Sequence, residues 1–370
     1  MSEQDISLQI QARVQAALAD KTPLAIRAGG TKAFYGRRVA GESLDVKGHA
    51  GIVSYAPTEL VVTARCGTPL AELEAVLAEQ GQMLPFEPPH FVSPLPPGEG
   101  LGVRERRLPS CATVGGMVAA GLSGPRRPWG GAVRDAVLGV KLLTGKGEIL
   151  GFGGQVMKNV AGYDVSRLMA GGLGSLGVIL EVSMKVLPRP VKEVTLVQEA
   201  DAQTALERLT AWQGKAWPLS ACLHDGERLW MRLSGTHAGV NAARAVLGGE
   251  EVADLSIWTQ ARDQTLPFFV MDKPLWRLSV PPATPVMDLP GIWLTEWGGA
   301  QRWLVSEATA NRIRAAAATA GGHATLFRGH DGTGEVFQPL PAAHMGLHKR
   351  LKASFDPAGI LNPGVMYEGV

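Results

Sequence analysis

The sequence predicts an α+β protein made of a cofactor-binding part and a smaller antiparallel α+β part, and three observations carry that reading. Apolar residues recur with both helical and strand periods on either side of an early glycine loop, which argues for mixed α+β rather than an all-β sandwich. Three glycine clusters, TVGGMVAAGLSG (113–124), GKGEILGFGG (145–154) and GGLGSLG (171–177), lie beside apolar, β-branched runs. At LPRPVKE (187–193) two prolines intervene and the glycine clusters stop. Glycine reaches positive φ without steric cost and lets backbone approach a flat or charged ligand. A single glycine-rich turn is ordinary punctuation, but three clusters so close together read as strand ends wrapped around a nucleotide cofactor.

Taken in order, Ile6, Ile10, Val14, Ala17 and Leu18 predict an amphipathic helix over 5–19, ending before Pro23. A short apolar strand, Leu24–Arg27, runs into RAGGTKAFYG (27–36). Glycine-freed N–H groups with a hydroxyl and an ammonium beside them make an anion nest suited to a pyrophosphate, although a simple β-turn has the same composition. Strands follow near 51–56 and 60–65. Thr68 fits an N-cap and Pro69 the first turn of a helix to Gln80, with Leu70, Leu73 and Leu77 as its buried stripe.

The stretch 91–111 carries four prolines, three glycines and the run Arg104-Glu105-Arg106-Arg107. It buries little apolar surface and reads as an excursion. Its arginines, with Arg126, Arg127 and Arg134, are explained by a solvated face as well as by a nucleic-acid patch. In the last cluster Gly172, Gly174 and Gly177 spell G-x-G-x-x-G, a fingerprint that requires a helix to follow. Here Val178, Leu180, Val182, Met184 and Val186 alternate with Ile179, Glu181, Ser183 and Lys185, so a strand follows and the Rossmann reading fails.

After 193 the pattern predicts a strand at 194–198, a helix at 202–212, a hairpin turning at Asp225–Gly226, a helix at 237–247 and a strand at 275–280. A second hairpin near 297–299, a helix at 306–318 and a strand at 324–328 complete that part. A final helix, 341–355, turns Met345, Leu347, Leu351 and Phe355 inward and stops at Asp356–Pro357.

Composition narrows the function. With 45% hydrophobic and 19% charged residues in 370, the chain has the make-up of a globular protein with a sizeable core, and a net charge of +2 gives no reason to expect nucleic acid. Cys66, Cys111 and Cys222 are far apart and form no C-x-x-C, so neither a disulfide framework nor a zinc or iron–sulfur site is indicated. No apolar run is long enough to span a bilayer. A cytoplasmic location is expected, with any membrane association supplied by partners.

Four motifs carry a resemblance: RAGGTKAFYG (27–36), ATVGGMVAAGLSGPRRPWGGAVRD (112–135), VMKNVAGYDVSRLMAGGLGSLGVILEVSMKVLPRP (156–190) and FDPAGILNPG (355–364). In order and spacing they resemble the FAD-linked oxidases of the vanillyl-alcohol oxidase (PCMH-type) fold and, more narrowly, the FAD-binding E subunits of bacterial glycolate oxidases. The resemblance implies a PCMH-type FAD domain of two α+β subdomains over 1–190, a smaller antiparallel α+β cap over 191–340, and a tail over 341–370 that returns to the FAD domain. It implies that Arg27, Gly29, Gly30, Thr31 and Lys32 lie at the pyrophosphate, and that Thr113, Gly115, Gly116, Gly121, Ser123, Gly124 and Asp135 form a second wall. Asn159, Tyr163, Asp164, Gly177 and Val178 would approach the flavin and adenosine. The first loop offers no His or Cys for a covalent link, so the FAD is expected to be noncovalent. Against the family pattern, 91–111 looks like an insertion beside the cofactor wall. RGHDGTGEVFQP (328–339) keeps His330 but lacks the paired ligand spacing of related enzymes, so no metal is expected.

The implied chemistry is oxidation of glycolate or a similar 2-hydroxy acid, which needs a hydride acceptor, a base for the hydroxyl proton and a cation for the carboxylate. Arg277 and Arg328 are the carboxylate candidates, and His330 and His344 the candidate bases. Each has a structural alternative: Arg277 can stack on Trp276 or serve an ion pair, and His344 can be an exposed helix residue. The implied partners are a D-type flavin subunit and an iron–sulfur subunit. The rival reading is a non-catalytic FAD-bearing subunit that supports the D-type partner, and a nicotinamide-dependent flavin reductase is weaker because no second dinucleotide site is visible.

Overall fold

A computed structural model describes residues 4–91, 111–154 and 164–370. The first helix, Ser7–Asp20, buries Ile10, Val14 and Ala17 and stops where Lys21 turns left-handed before Pro23. Strand Leu24–Arg27 pairs in parallel with Glu42–Asp45. Its other edge takes up the C-terminal tail: Leu24 N–H donates to the Ile360 carbonyl at 2.7 Å and Asn362 N–H to the Leu24 carbonyl at 2.9 Å. The end of the chain is thereby fixed beside the first glycine loop.

Next to this lies a five-stranded antiparallel sheet in the order Ile52–Ala56, Val61–Arg65, Val178–Lys185, Val137–Leu143, Ile149–Gly153. The central strand obeys the expected period of 2, yet Ile179 and Ser183 are buried along with Val178, Leu180, Val182 and Met184, because both faces of the sheet are covered. Helix Leu70–Glu79 packs Leu70, Leu73 and Leu77 fully into this core. It begins one residue later than expected, with Pro69 at the cap position, since the Thr68 hydroxyl is taken by Gly51, donating to its carbonyl and accepting its N–H, each at 3.0 Å.

Residues 192–328 build one eight-stranded antiparallel sheet, in the order Glu250–Val252, Lys192–Glu199, Arg228–Gly235, Leu219–His224, Ile292–Glu296, Gln301–Val305, Leu275–Ser279, His323–Arg328. Helices Ala202–Trp212 and His237–Leu247 cover Val194, Leu196, Cys222 and Met231, while helix Ala310–Thr319 covers Trp276, Leu278 and Leu304. The opposite face is aromatic: Trp303 and Phe327 pack with Phe91, Ala120 and Leu122 of the first part. That contact sets the eight-stranded sheet against the second glycine cluster.

Two expected elements shift. Helix 306–318 begins at Ala310, with Thr309 as its cap, because the Ser306 hydroxyl closes a local turn on Ala308 N–H. The last helix, Ala342–Phe355, does not turn Leu347 inward; Leu347 is 47% exposed, and the buried residue of that helix is Lys352. Most of the insertion at 91–111 lies outside the described residues.

Candidate functional site

A cavity of about 460 Å³ opens between the first glycine loop, the helix Val114–Ala120, the start of the central strand and the C-terminal tail. Gly30 is left-handed (φ 70°), which turns the chain so that the N–H groups of Gly30, Thr31 and Lys32 have no acceptor among the described residues. Three successive unsatisfied N–H groups on a wall of a cavity form a ready anion nest. The neighbouring wall is different in kind. The Val114, Gly115 and Gly116 N–H groups are satisfied by the Thr68 carbonyl, the Cys66 carbonyl and the Thr113 hydroxyl. This wall therefore offers bare backbone surface and no spare donors.

Close packing explains the glycines behind that surface. A β-carbon at Gly29 would stand 1.5 Å from the Cys111 carbonyl oxygen, and one at Gly115 would stand 2.5 Å from the Cys66 β-carbon. At Gly116 it would meet only the Thr113 hydroxyl, at 3.2 Å. Asn362 closes the cavity from the tail: its Oδ1 accepts from Ile26 N–H and its Nδ2 donates to the Leu173 carbonyl, both at 2.7 Å.

Of the residues named from sequence, Arg27, Gly29, Gly30, Thr31, Lys32, Thr113, Gly115, Gly116, Gly177 and Val178 line this cavity, as does His330. Gly121, Asp135 and Asp164 do not: Gly121 packs against Gly171, Asp135 accepts from Ala132 N–H, and Asp164 caps Val165–Leu168. Ser123 and Gly124 line a separate cavity of about 20 Å³ under the cap sheet. Asn159 and Tyr163 lie outside the described residues. Sequence reasoning missed Phe34, Ala119, Leu173, Asn362 and Val365 as lining residues. The tail motif was a signal for Asn362; nothing local marks Leu173, whose left-handed φ of 50° aims it there.

The candidate catalytic residues separate. Arg277 lies in the small cavity, stacked on Trp297 at 5.2 Å and donating from Nε to Gln301 Oε1 at 2.7 Å. The same cavity holds Glu296, which accepts from Trp303 Nε1 at 2.6 Å and Gln301 Nε2 at 3.1 Å. Burial pushes its carboxyl up to about 7, against the pull of those donors and of Arg277. Arg328 stands on an aromatic wall, its guanidinium 4.9 Å from the Phe34 ring. The His330 Nδ1 accepts from Gly332 N–H at 3.1 Å, which leaves the proton on Nε2, and Nε2 faces the Phe34 backbone without closing a well-formed hydrogen bond. Burial holds this ring below the usual histidine range, so it is a neutral donor. His344 is exposed on the last helix and reaches neither cavity.

Among the described residues no cluster of three or more His, Cys, Asp or Glu could hold a metal, and no helix is long and apolar enough to cross a membrane. Arg126 and Arg127 do not form a surface patch: Arg126 is buried against Glu87 and Glu193, and Arg127 lies 4.5 Å from the Trp297 ring.

Comparison with known proteins gives a consistent result. The sequence pattern of the FAD binding domain matches residues 7–93 and 101–153. The chain is 51% identical over 367 residues to glycolate oxidase subunit GlcE of Escherichia coli (strain K12), covering 99% of each chain. It is 35% identical over 105 residues to glycolate oxidase subunit GlcD of Bacillus subtilis (strain 168), or 27% of this chain and 22% of that one. In fold it is similar to the 4-ethylphenol oxidase of Gulosibacter chungangensis, with a TM-score of 0.68 at 12% identity over 98% of this chain and 88% of that one. It is also similar to an alkyldihydroxyacetonephosphate synthase, with a TM-score of 0.63 at 16% identity over 96% and 74%. These two likenesses place the fold among PCMH-type FAD-binding proteins.

Proposed function

We propose, for a chain that belongs to the GlcE family of FAD-binding glycolate oxidase subunits, that it works as an FAD-dependent 2-hydroxy-acid oxidoreductase with glycolate as substrate, inside a complex with a D-type flavin subunit and an iron–sulfur subunit. Any attachment to a membrane would come through that complex. Residues 1–190 form the FAD-binding part, 191–340 the cap, and 341–370 the returning tail. The observation that carries the reading is the cavity: an N–H nest at Gly30–Lys32, a donor-free glycine wall at Gly115–Gly116, and Asn362 closing the end.

These residues fit FAD. The nest suits a pyrophosphate, and the bare backbone at Gly116 admits a flat ring where any larger side chain would intrude. When bound, FAD supplies the acceptor for the hydride that leaves the α-carbon. The protein would supply the cation for the carboxylate; of the candidates Arg277 and Arg328, Arg277 already donates to Gln301 and stacks on Trp297, which leaves Arg328. His330, donating from Nε2, would orient the substrate, and the hydroxyl proton would leave to solvent water rather than to this ring. Noncovalent binding is supported by the first loop and by Cys66, the one cysteine lining the cavity among the described residues, whose buried thiol is pushed up to about 12 and stays protonated.

One observation favours the rival reading, a non-catalytic FAD-bearing subunit: His330 is a neutral donor and the exposed His344 reaches neither cavity, so neither stands as a base at the site. Anaerobic glycolate addition decides between them. Flavin bands that bleach in the chain alone support catalysis here, whereas bands that bleach only after a D-type subunit is added support the auxiliary role.

A further inference from the structure

We propose that Lys32 and Arg328 together hold the carboxylate of the substrate at the seam between the cofactor loop and the cap sheet. The identity of the anion as a small 2-hydroxy acid rests on the reading above; the anion site itself does not.

The two cations come from different parts of the fold, and both approach the Phe91 ring. Arg328 ends the cap strand His323–Arg328, and its guanidinium lies 4.9 Å from Phe34, 5.4 Å from Phe91 and 5.6 Å from Phe327, measured to the ring centres. Lys32 Nζ lies 5.6 Å from the Phe91 centre. The Arg328 guanidinium has no hydrogen bond and no ion pair with any described residue. Among the described residues Lys32 Nζ reaches only two neutral oxygens, the Pro89 carbonyl at 3.3 Å and the Thr31 hydroxyl at 3.5 Å. The carboxylate that acts on it, Asp263, is already taken: both of its oxygens accept from Arg262 at 2.8 Å, and one also accepts from His90 N–H.

Aromatic faces return only part of what a cation loses when it leaves water. The loss is visible in both groups, since burial lowers Lys32 to about 8 and Arg328 to about 10. The buried structural arginines here carry a carboxylate, as Arg126, Arg232 and Arg314 do, or backbone carbonyls, as Arg302 does. Arg328 carries none among the described residues, and its planar fork matches a carboxylate with two parallel hydrogen bonds. Arg277, the other candidate, already donates to Gln301 and stacks on Trp297 and Trp303. Lys32 also divides its labour: its backbone N–H belongs to the nest, while its side chain turns to Phe91.

The test uses the purified chain with FAD added in excess and oxalate as the probe, read by calorimetry and by the change in the flavin spectrum. Arg328→Met and Lys32→Met are expected to weaken oxalate binding by roughly 10–100-fold, the loss of a hydrogen bond to a charged group, with flavin content unchanged. Arg277→Met is expected to bind as the wild type does, and Arg328→Lys and Lys32→Arg to keep part of the affinity should the Met variants fail to fold. Unchanged affinity in Arg328→Met, a loss confined to Arg277→Met, or a wild-type chain that ignores oxalate would each overturn the proposal. So would loss of flavin in Lys32→Met, which would assign that ammonium to the cofactor pyrophosphate. Reduction by glycolate is scored separately: a chain that binds oxalate through this pair yet is not reduced keeps the anion site and loses the oxidoreductase reading.

Discussion

Gly115 and Gly116 are adjacent in sequence and do opposite things. A β-carbon at Gly115 would collide with Cys66, so Gly115→Ala is expected to destabilise the fold by about 1–3 kcal/mol, measured as a lower denaturant midpoint. Gly116 lines the cavity and a β-carbon there would press only on the Thr113 hydroxyl, at 3.2 Å, so Gly116→Val is expected to lose flavin retention while keeping most of its stability. A Gly116→Val variant that retained its full flavin would remove this wall from the site. Glu296 gives a second test at this scale. Its folded value of about 7 lies above the usual 4.5, so between those pH values the unfolded chain ionises first and stability falls as pH rises. Stabilisation is full below about 4.5 and lost above about 7. Glu296→Gln keeps an oxygen for Trp303 and Gln301 and is expected to remove most of that slope, on the order of 2–3 kcal/mol between about pH 5 and 8.

At the scale of elements, what could be read from sequence was whatever a local period or cap determines. Helices 202–212 and 237–247 have the expected ends because Asp201 and Thr236 cap them and their apolar stripes are regular. The last helix was misread because its inward contact is polar. Lys352, buried, donates to the Ser175 and Leu361 carbonyls at 2.7 and 2.5 Å and to Asp356 at 2.7 Å, tying helix, tail and third glycine cluster together. No hydropathy pattern marks a lysine as a core residue. Lys352→Met would leave the buried Asp356 without its counter-charge, held only by the Ile360 and Leu361 N–H groups among the described residues, and it is expected to cost about 3–5 kcal/mol and to loosen the tail, so that proteolysis near 356–364 quickens. Thr68 shows the same limit, since its preference for a cap lost to a partner seventeen residues away, Gly51.

For the whole molecule, the glycine loops and the composition change at the linker were legible, while the surfaces that bring the two parts together were not. Their seam is held by Arg126 and Arg232 with Glu87 and Glu193, residues scattered over the chain; Arg232 Nη2 lies 2.8 Å from Glu87 and Arg126 Nη2 2.5 Å from Glu193. Pairing at such separation leaves no local signal. Glu87→Gln is expected to destabilise the chain by about 2–4 kcal/mol, since it leaves buried arginines undercompensated, with the cap exchanging amide hydrogens faster than the FAD part. The site shares this non-local origin: the nest comes from residues near 30, the bare wall from 115–116, the closing amide from 362 and the cation from 328. The most direct measurement of whether they make one cofactor site is the visible spectrum of the purified chain followed by acid precipitation. Flavin bands in the native chain, with FAD released into the supernatant, are the expected result; a chain that shows no flavin even with FAD in excess, or that keeps it in the pellet, would contradict a noncovalent FAD site here.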